Sequence, residues 1–202
     1  MPLLVVDHAG RSEAAYAAVI EIAEHLAAPV VDLGGRHSFP NTHWADVTSD
    51  RVALLKEADV VLCIDPRDTN WAITTIDQES RGWNRLMAPD ARLMVISLNE
   101  LATRSFIERE AFVPTDDHAT ADSEVALPRL AEMIRSHPSG PDDRRRWLQE
   151  KSRALHDSMG RYERNADTLT EGHAVAALHA AVSDGPWQLA FAGFRTWVRR
   201  TW

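Results

Sequence analysis

The chain has 202 residues, more than one small domain needs and too few for two full α/β domains, so we expect one domain with an appendage. Its formal net charge of -8 and ordinary share of charged residues argue against nucleic acid or anionic lipid as a partner. No apolar stretch has the length of a membrane span, no signal peptide is recognisable, and the lone Cys63 sits in an apolar run. We therefore expect a cytoplasmic protein in which Cys63 is a small core residue.

Secondary structure in the first two thirds of the chain alternates between strands and helices. Runs of branched apolar residues predict buried parallel strands at Leu3 to Val6, Pro29 to Leu33, Val60 to Ile64 and Leu93 to Leu98. Amphipathic spacing predicts helices from a Ser12 cap to Leu26, over Asp50 to Glu57, and over Ser123 to Arg135. This alternation predicts an α/β, Rossmann-like doubly wound parallel sheet.

The remaining third predicts a helical C-terminal extension. His137-Pro138-Ser139-Gly140-Pro141 is typical of a domain boundary, so we expect a central domain over 1–136, a linker and long helix over 137–168, and a further unit over 169–202. The long helix should run from Asp142 to Arg164 and pack its apolar stripe on a neighbouring domain, with nucleic-acid binding as the less favoured alternative. The last unit should contain a helix from about Thr170 to Ser183 and a strand from Trp187 to Ala192. Its crowded aromatic residues predict a partner surface that covers them.

Two long connections, Gly34 to Ser49 and Pro66 to Pro89, follow carboxyl ends of predicted strands, where open α/β sheets bind ligands. The turn Asp7 to Ser12 has one glycine rather than the three of a dinucleotide fingerprint. Gly10 and the amides after Ser12 could receive an anion, or the turn could be only a tight turn. Arg67, in Asp65-Pro66-Arg67-Asp68, could grip a phosphate or belong to a salt-bridged turn, and the sequence leaves both open.

Metal binding and catalysis are not indicated by any motif. His37 and His43 are six residues apart, and Asp46 could add a third ligand, but this spacing matches no common zinc site. We interpret the histidines as residues of a surface loop. We predict no metal site and no catalytic residue in this sequence.

Several segments, taken in order, together resemble the central domain of thiamine-diphosphate-dependent enzymes, most closely acetolactate-synthase-like members. The resemblance extends from about Pro2 to Arg135. The segments are Ala9-Gly10-Arg11-Ser12, Glu24 to Val31, Phe39 to His43, Ala58 to Asp65, Ala88 to Ser97 and Ala121 to Pro128. No single segment is specific, but their order and spacing together are.

The resemblance implies a Rossmann-like domain between a pyrimidine-binding and a pyrophosphate-binding domain, in a homodimer or tetramer that holds thiamine diphosphate and Mg²⁺. The activating glutamate and the Gly-Asp-Gly signature of such enzymes are not in this sequence, so we expect flanking domains to supply them. Some relatives bind FAD or a nucleotide on the central domain. The corresponding edge here comprises Gly10, Arg11, Ser12, Gly35, Arg67 and Asn99. The segment from His43 to Ala58 is shorter than the flavin-embracing loop of acetolactate synthases, which argues against FAD.

Three functions follow from these observations. The first is a partial chain of a 2-oxo-acid decarboxylase or carboligase, ending in the start of the pyrophosphate-binding domain, with a scaffolding role and no complete active site. The second is a freestanding nucleotide- or FAD-binding module, and the third is a dimerisation domain without ligand.

Overall fold

The computed structural model describes residues 1–34, 37–98, 113–162 and 169–186, with side chains in the third range as far as residue 157. It divides into two compact units, Met1–Gln149 and Glu150–Trp202. Within the described ranges, no helix combines the length and the apolar character that crossing a membrane requires.

Strands and helices alternate along the chain from Pro2 to Ile76, and after Ile76 the described residues contain three strands followed by three helices. The strands are β1 (Pro2–Val6), β2 (Val30–Asp32), β3 (Val60–Ile64), β4 (Thr74–Ile76), β5 (Trp83–Arg85), β6 (Arg92–Ser97) and β7 (Asp117–Thr120). The helices are α1 (Glu13–Leu26), α2 (Arg51–Glu57), α3 (Thr69–Ile73), α4 (Ser123–Ile134), α5 (Asp142–Tyr162) and α6 (Glu171–Val182).

Five strands form one sheet in the order β2-β1-β3-β6-β7, and every neighbouring pair is parallel. Strands β4 and β5 form a separate antiparallel hairpin. Helices flank the sheet, so the predicted Rossmann-like α/β fold is confirmed. Chain order places β2 on one side of β1 and β3 on the other, which creates a topological switch point between β1 and β3.

The core lies on both faces of the sheet. Leu4 and Val6 of β1 pack with α1 and α4, to which Ile22 and Leu127 contribute buried side chains. Leu3 and Val5 point to the opposite face, because side chains alternate along a strand, and they are also fully buried. This two-sided burial explains why the central strands are continuous apolar runs.

Cys63, on β3, is buried as the sequence predicts. Loss of hydration on burial raises the pKa of its thiol to about 12, because the charged thiolate is disfavoured in an apolar interior.

The end of α1 is held by the segment that begins α5. The backbone N–H of Gly140 donates to the His25 carbonyl at 2.7 Å, and Arg144 donates from Nε to the Ala27 carbonyl at 2.9 Å and from Nη2 to the Leu26 carbonyl. Arg145 donates to the Glu24 carbonyl. Gly140 and the first turn of α5 thus supply donors to the terminal carbonyls of α1, and the two arginines place positive charge at its C-terminus.

The second unit, taken by itself, contains the rest of α5 and α6. Thr170 precedes α6, and its backbone N–H donates to Nδ1 of His173 at 3.1 Å. Val175 of α6 and Ser152 of α5 are buried. The predicted strand at Trp187 to Ala192 and the last two predicted residues of the long helix lie outside the described residues.

Two differences from the predicted elements stand out. The connection Pro66 to Pro89 contains α3 and the β4–β5 hairpin, and β7 adds a fifth strand to the sheet. Strand β7 has the sequence Asp-His-Ala-Thr with every residue exposed, so it lacks the apolar run by which buried strands are recognised. Within the described residues, the other predicted strands and helices form with ends that agree with the prediction or differ by one residue.

Candidate functional site

The carboxyl ends of β1 and β3 bring together two charged loops. The loop after β1 carries Asp7, His8 and Arg11, and the loop after β3 carries Asp65 and Arg67. From β1 the chain continues to β2, and from β3 it continues to β6, which lie in opposite directions along the sheet. This arrangement is typical of ligand-binding crevices in open α/β sheets. We call these two loops, together with Ser38 and the start of α4, the switch-point crevice.

Asp7 holds Arg67 across the crevice. Its Oδ2 accepts from the backbone N–H of Arg67 at 2.9 Å and from Nε of the same residue at 3.1 Å. Nδ1 of His8 lies 3.4 Å from the same oxygen. Asp7 is only 1% exposed, and the Arg67 side chain is 39% exposed, so a buried carboxylate anchors a cation that reaches the surface.

A second cluster joins Asp65 to the starts of α1 and α4. The hydroxyl of Ser123 donates to Oδ2 of Asp65, and Nη2 of Arg11 lies 3.5 Å from that oxygen. The same Arg11 nitrogen donates to Oδ1 of Asp122 at 3.1 Å. Asp65 has a φ of 45°, in the left-handed region that aspartate and asparagine adopt more readily than most residues.

Backbone of the long connection after β2 fills the space next to Gly10. A Cβ at Gly10 would lie 1.9 Å from the His37 carbonyl oxygen, so only glycine fits here. The Gly10 N–H donates to Oγ of Ser38 at 3.1 Å, and that hydroxyl donates to the Asp7 carbonyl at 3.0 Å. The glycine thus permits close approach of the protein's own loop.

Asp32, at the end of β2, fixes the start of that connection. Its carboxylate accepts from the N–H of Gly34 at 2.7 Å and of Ser38 at 3.2 Å. Burial, and secondly the negative charge of Asp32, raise the pKa of Tyr16 on α1. Asp32 and Asp7 are both almost fully buried, so the connection and the crevice are built on internal carboxylates.

Two of the three residues considered as metal ligands, His43 and Asp46, have other contacts. Nδ1 of His43 accepts from the Ala45 N–H at 3.1 Å, which leaves Nε2 to donate to Glu24 at 3.2 Å. Asp46 accepts from the hydroxyl of Thr48. In the part of the chain that the structure describes, no three His, Cys, Asp or Glu side chains are grouped to hold a metal ion.

Of the residues predicted to contact a nucleotide or FAD, the structure places Gly10, Arg11, Ser12 and Arg67 in the crevice. Gly35 and Asn99 lie outside the described residues. The sequence analysis did not single out Asp7, Ser38 or Ser123, whose partners are 28 to 60 residues away along the chain. The only signal in the sequence was that charged residues follow two strands.

The described crevice fits a flavin or nucleotide phosphate poorly. The space beside Gly10 and its N–H are used by the long connection, Ser12 Oγ accepts from the Ala15 N–H at the start of α1, and Arg11 contacts two carboxylates. The assignment of these residues to cofactor binding stays a prediction.

Comparisons with known proteins find similarity to solved structures only at the level of the fold. No family model matches the chain, and no curated protein matches it. Among 81 matching chains of solved structures is a protein from Mycobacterium smegmatis whose description assigns it provisionally to the thiamin diphosphate-dependent enzymes. Identity is 24%, the TM-score is 0.49, and the match covers 71% of this chain and 26% of that one. The chain therefore spans about a quarter of that protein's length.

Proposed function

We propose that this chain forms the central, non-catalytic α/β domain of a thiamine-diphosphate-dependent enzyme that acts on 2-oxo acids and resembles acetolactate synthase. The observation that carries the proposal is the ordered resemblance from Pro2 to Arg135. Its segments fall on strands of one parallel sheet and on the helices and connection next to that sheet. They occupy the start and end of α1, the connection after β2, strands β3 and β6, and the start of α4.

The proposed role of the domain is to position catalytic domains on either side of it. Mg²⁺ bound with diphosphate needs oxygen ligands from the protein. The resemblance implies that flanking domains would supply these ligands and hold thiamine diphosphate. When bound there, the cofactor supplies carbanion stabilisation for decarboxylation or carboligation. The complete enzyme would be a homodimer or tetramer.

The coding DNA on both sides of the present sequence tests this proposal. The expected result is a continuous reading frame that encodes a glutamate-bearing domain before residue 1 and a Gly-Asp-Gly-bearing domain after residue 202. In-frame stop codons with unrelated neighbours would refute it.

A biochemical test follows from the same reading frame. The full product should release CO₂ from a panel of 2-oxo acids only when thiamine diphosphate and Mg²⁺ are both added. Residues 1–202 expressed alone should show no activity under the same conditions. Release of CO₂ by residues 1–202 would contradict a scaffolding role.

A further inference from the structure

The arginines of the switch-point crevice are paired with carboxylates of the same crevice. Three carboxylates, from Asp7, Asp65 and Asp122, contact two guanidinium groups, from Arg11 and Arg67. The formal net charge of these five described groups is -1. Asp7 and Asp65 are 1% and 7% exposed, so their charges are held next to the arginines with little water between.

We infer that the switch-point crevice excludes phosphate-bearing ligands, because these carboxylates act as internal anions next to its arginines. The negative charge of Asp65 is the main cause of this exclusion. A phosphate approaching Arg11 would meet Asp65 and Asp122, which contact the same guanidinium nitrogen. Displacing Asp65 would leave its carboxylate buried without that cation, and approaching beside it would place like charges together. Either route is unfavourable.

Backbone donors of the crevice are also engaged. The Gly10 N–H donates to Ser38, the Ala15 N–H donates to Ser12, and the Glu124 N–H donates to Asp122 at 3.1 Å. Helix starts bind phosphate through such N–H groups when these are vacant. In the described part of the crevice, side chains of the protein already fill this role.

Asp65→Asn is a suitable variant to test the inference. Asparagine also adopts the left-handed backbone conformation, and its amide oxygen can still accept from Ser123, so the substitution removes the charge and little else. Asp122→Asn is a second, milder variant because that side chain is 43% exposed. Asp117→Asn is the matched control. Its carboxylate pairs with Arg92 at 2.7 Å, and both residues belong to the strands β6 and β7 rather than to the crevice.

Calorimetric titration of residues 1–202 with ADP and with FAD at pH 7.5 measures the exclusion directly. We expect Kd values weaker than about 1 mM for both ligands. Thermal unfolding in sodium phosphate, compared with NaCl of equal ionic strength, measures whether the variants have gained phosphate binding. Wild type and Asp117→Asn should show equal Tm in both salts. For Asp65→Asn and Asp122→Asn, Tm should rise in phosphate by roughly 3–6 °C at about ten times Kd.

A Kd below about 1 mM for ADP or FAD with the wild type would overturn the inference. It would also be overturned if neither crevice variant gained a phosphate-dependent Tm shift beyond that of Asp117→Asn. If Asp65→Asn does not fold, Asp122→Asn and the wild-type titrations still decide the matter. The inference does not depend on the proposed function, because a scaffold domain and a freestanding domain would give the same titrations.

Discussion

Replacing Arg144 by methionine should destabilise the first compact unit by about 2–3 kcal/mol. Arg144 donates two hydrogen bonds to the last carbonyls of α1, those of Leu26 and Ala27. A bond from a charged donor contributes about 1.5–3 kcal/mol. The lower end applies here because Arg144 is partly exposed and water can reach the carbonyls after its removal. Methionine keeps much of the apolar stem, so the loss should come mainly from the guanidinium group.

Urea unfolding followed by far-UV circular dichroism measures this loss, as a lower midpoint at unchanged m-value. A drop in Tm of roughly 4–12 °C is expected in a thermal scan. Arg146→Met is the matched control, because Arg146 lies two residues further along α5 and is exposed. If the two variants differ by less than about 0.5 kcal/mol, capping of α1 by α5 does not contribute as described.

Three further predictions concern single positions. Gly10→Ala should destabilise by roughly 2–3 kcal/mol, because the new methyl group would overlap the His37 carbonyl, whereas Gly185→Ala, with open space around it, should be near neutral in the same urea unfolding experiment. Arg81→Gly should stabilise by about 0.5–1 kcal/mol, since Arg81 is exposed with a φ of 58°, and an unchanged or lower midpoint would argue against backbone strain there. Burial raises the pKa of the Cys63 thiol from 9.0, the value taken for the unfolded chain, to about 12. The contribution of the protonated thiol to stability is therefore complete below pH 9.0 and should be lost as the pH rises from 9.0 toward about 12. The wild type should therefore lose up to tenfold in its folding equilibrium constant per pH unit relative to Cys63→Ala over that range, and parallel pH profiles of the two proteins would refute the burial argument.

The sequence predicted the sheet because its central strands are buried on both faces. Leu3 to Val6 and Val60 to Ile64 leave no polar alternation that could suggest another element, and Ser12 marks the start of α1 by its capping chemistry. Strand β7 could not be predicted in this way, because its pairing with β6 depends on backbone hydrogen bonds and not on burial of its side chains.

The candidate site was predictable only in outline. Charged residues after β1 and β3 located the crevice, because parallel strands bring their carboxyl ends to one edge. The partner of each charge was not predictable. Arg67 pairs with Asp7, 60 positions earlier, and not with an acid in its own turn, and Arg11 reaches Asp122, 111 positions later. The first pair depends on the pairing of β1 with β3 and the second on the packing of α1 against α4, and local sequence specifies neither.

Strand β7 has a consequence for self-association. Among the described strands it lies at one end of the sheet, where unpaired backbone groups would allow another chain to add a strand. Its exposed Asp117 and its short length oppose such pairing, because a charged side chain on a short strand makes a poor template for β-sheet extension. In the described part of the chain, β7 is therefore a poor site for aggregation through strand addition.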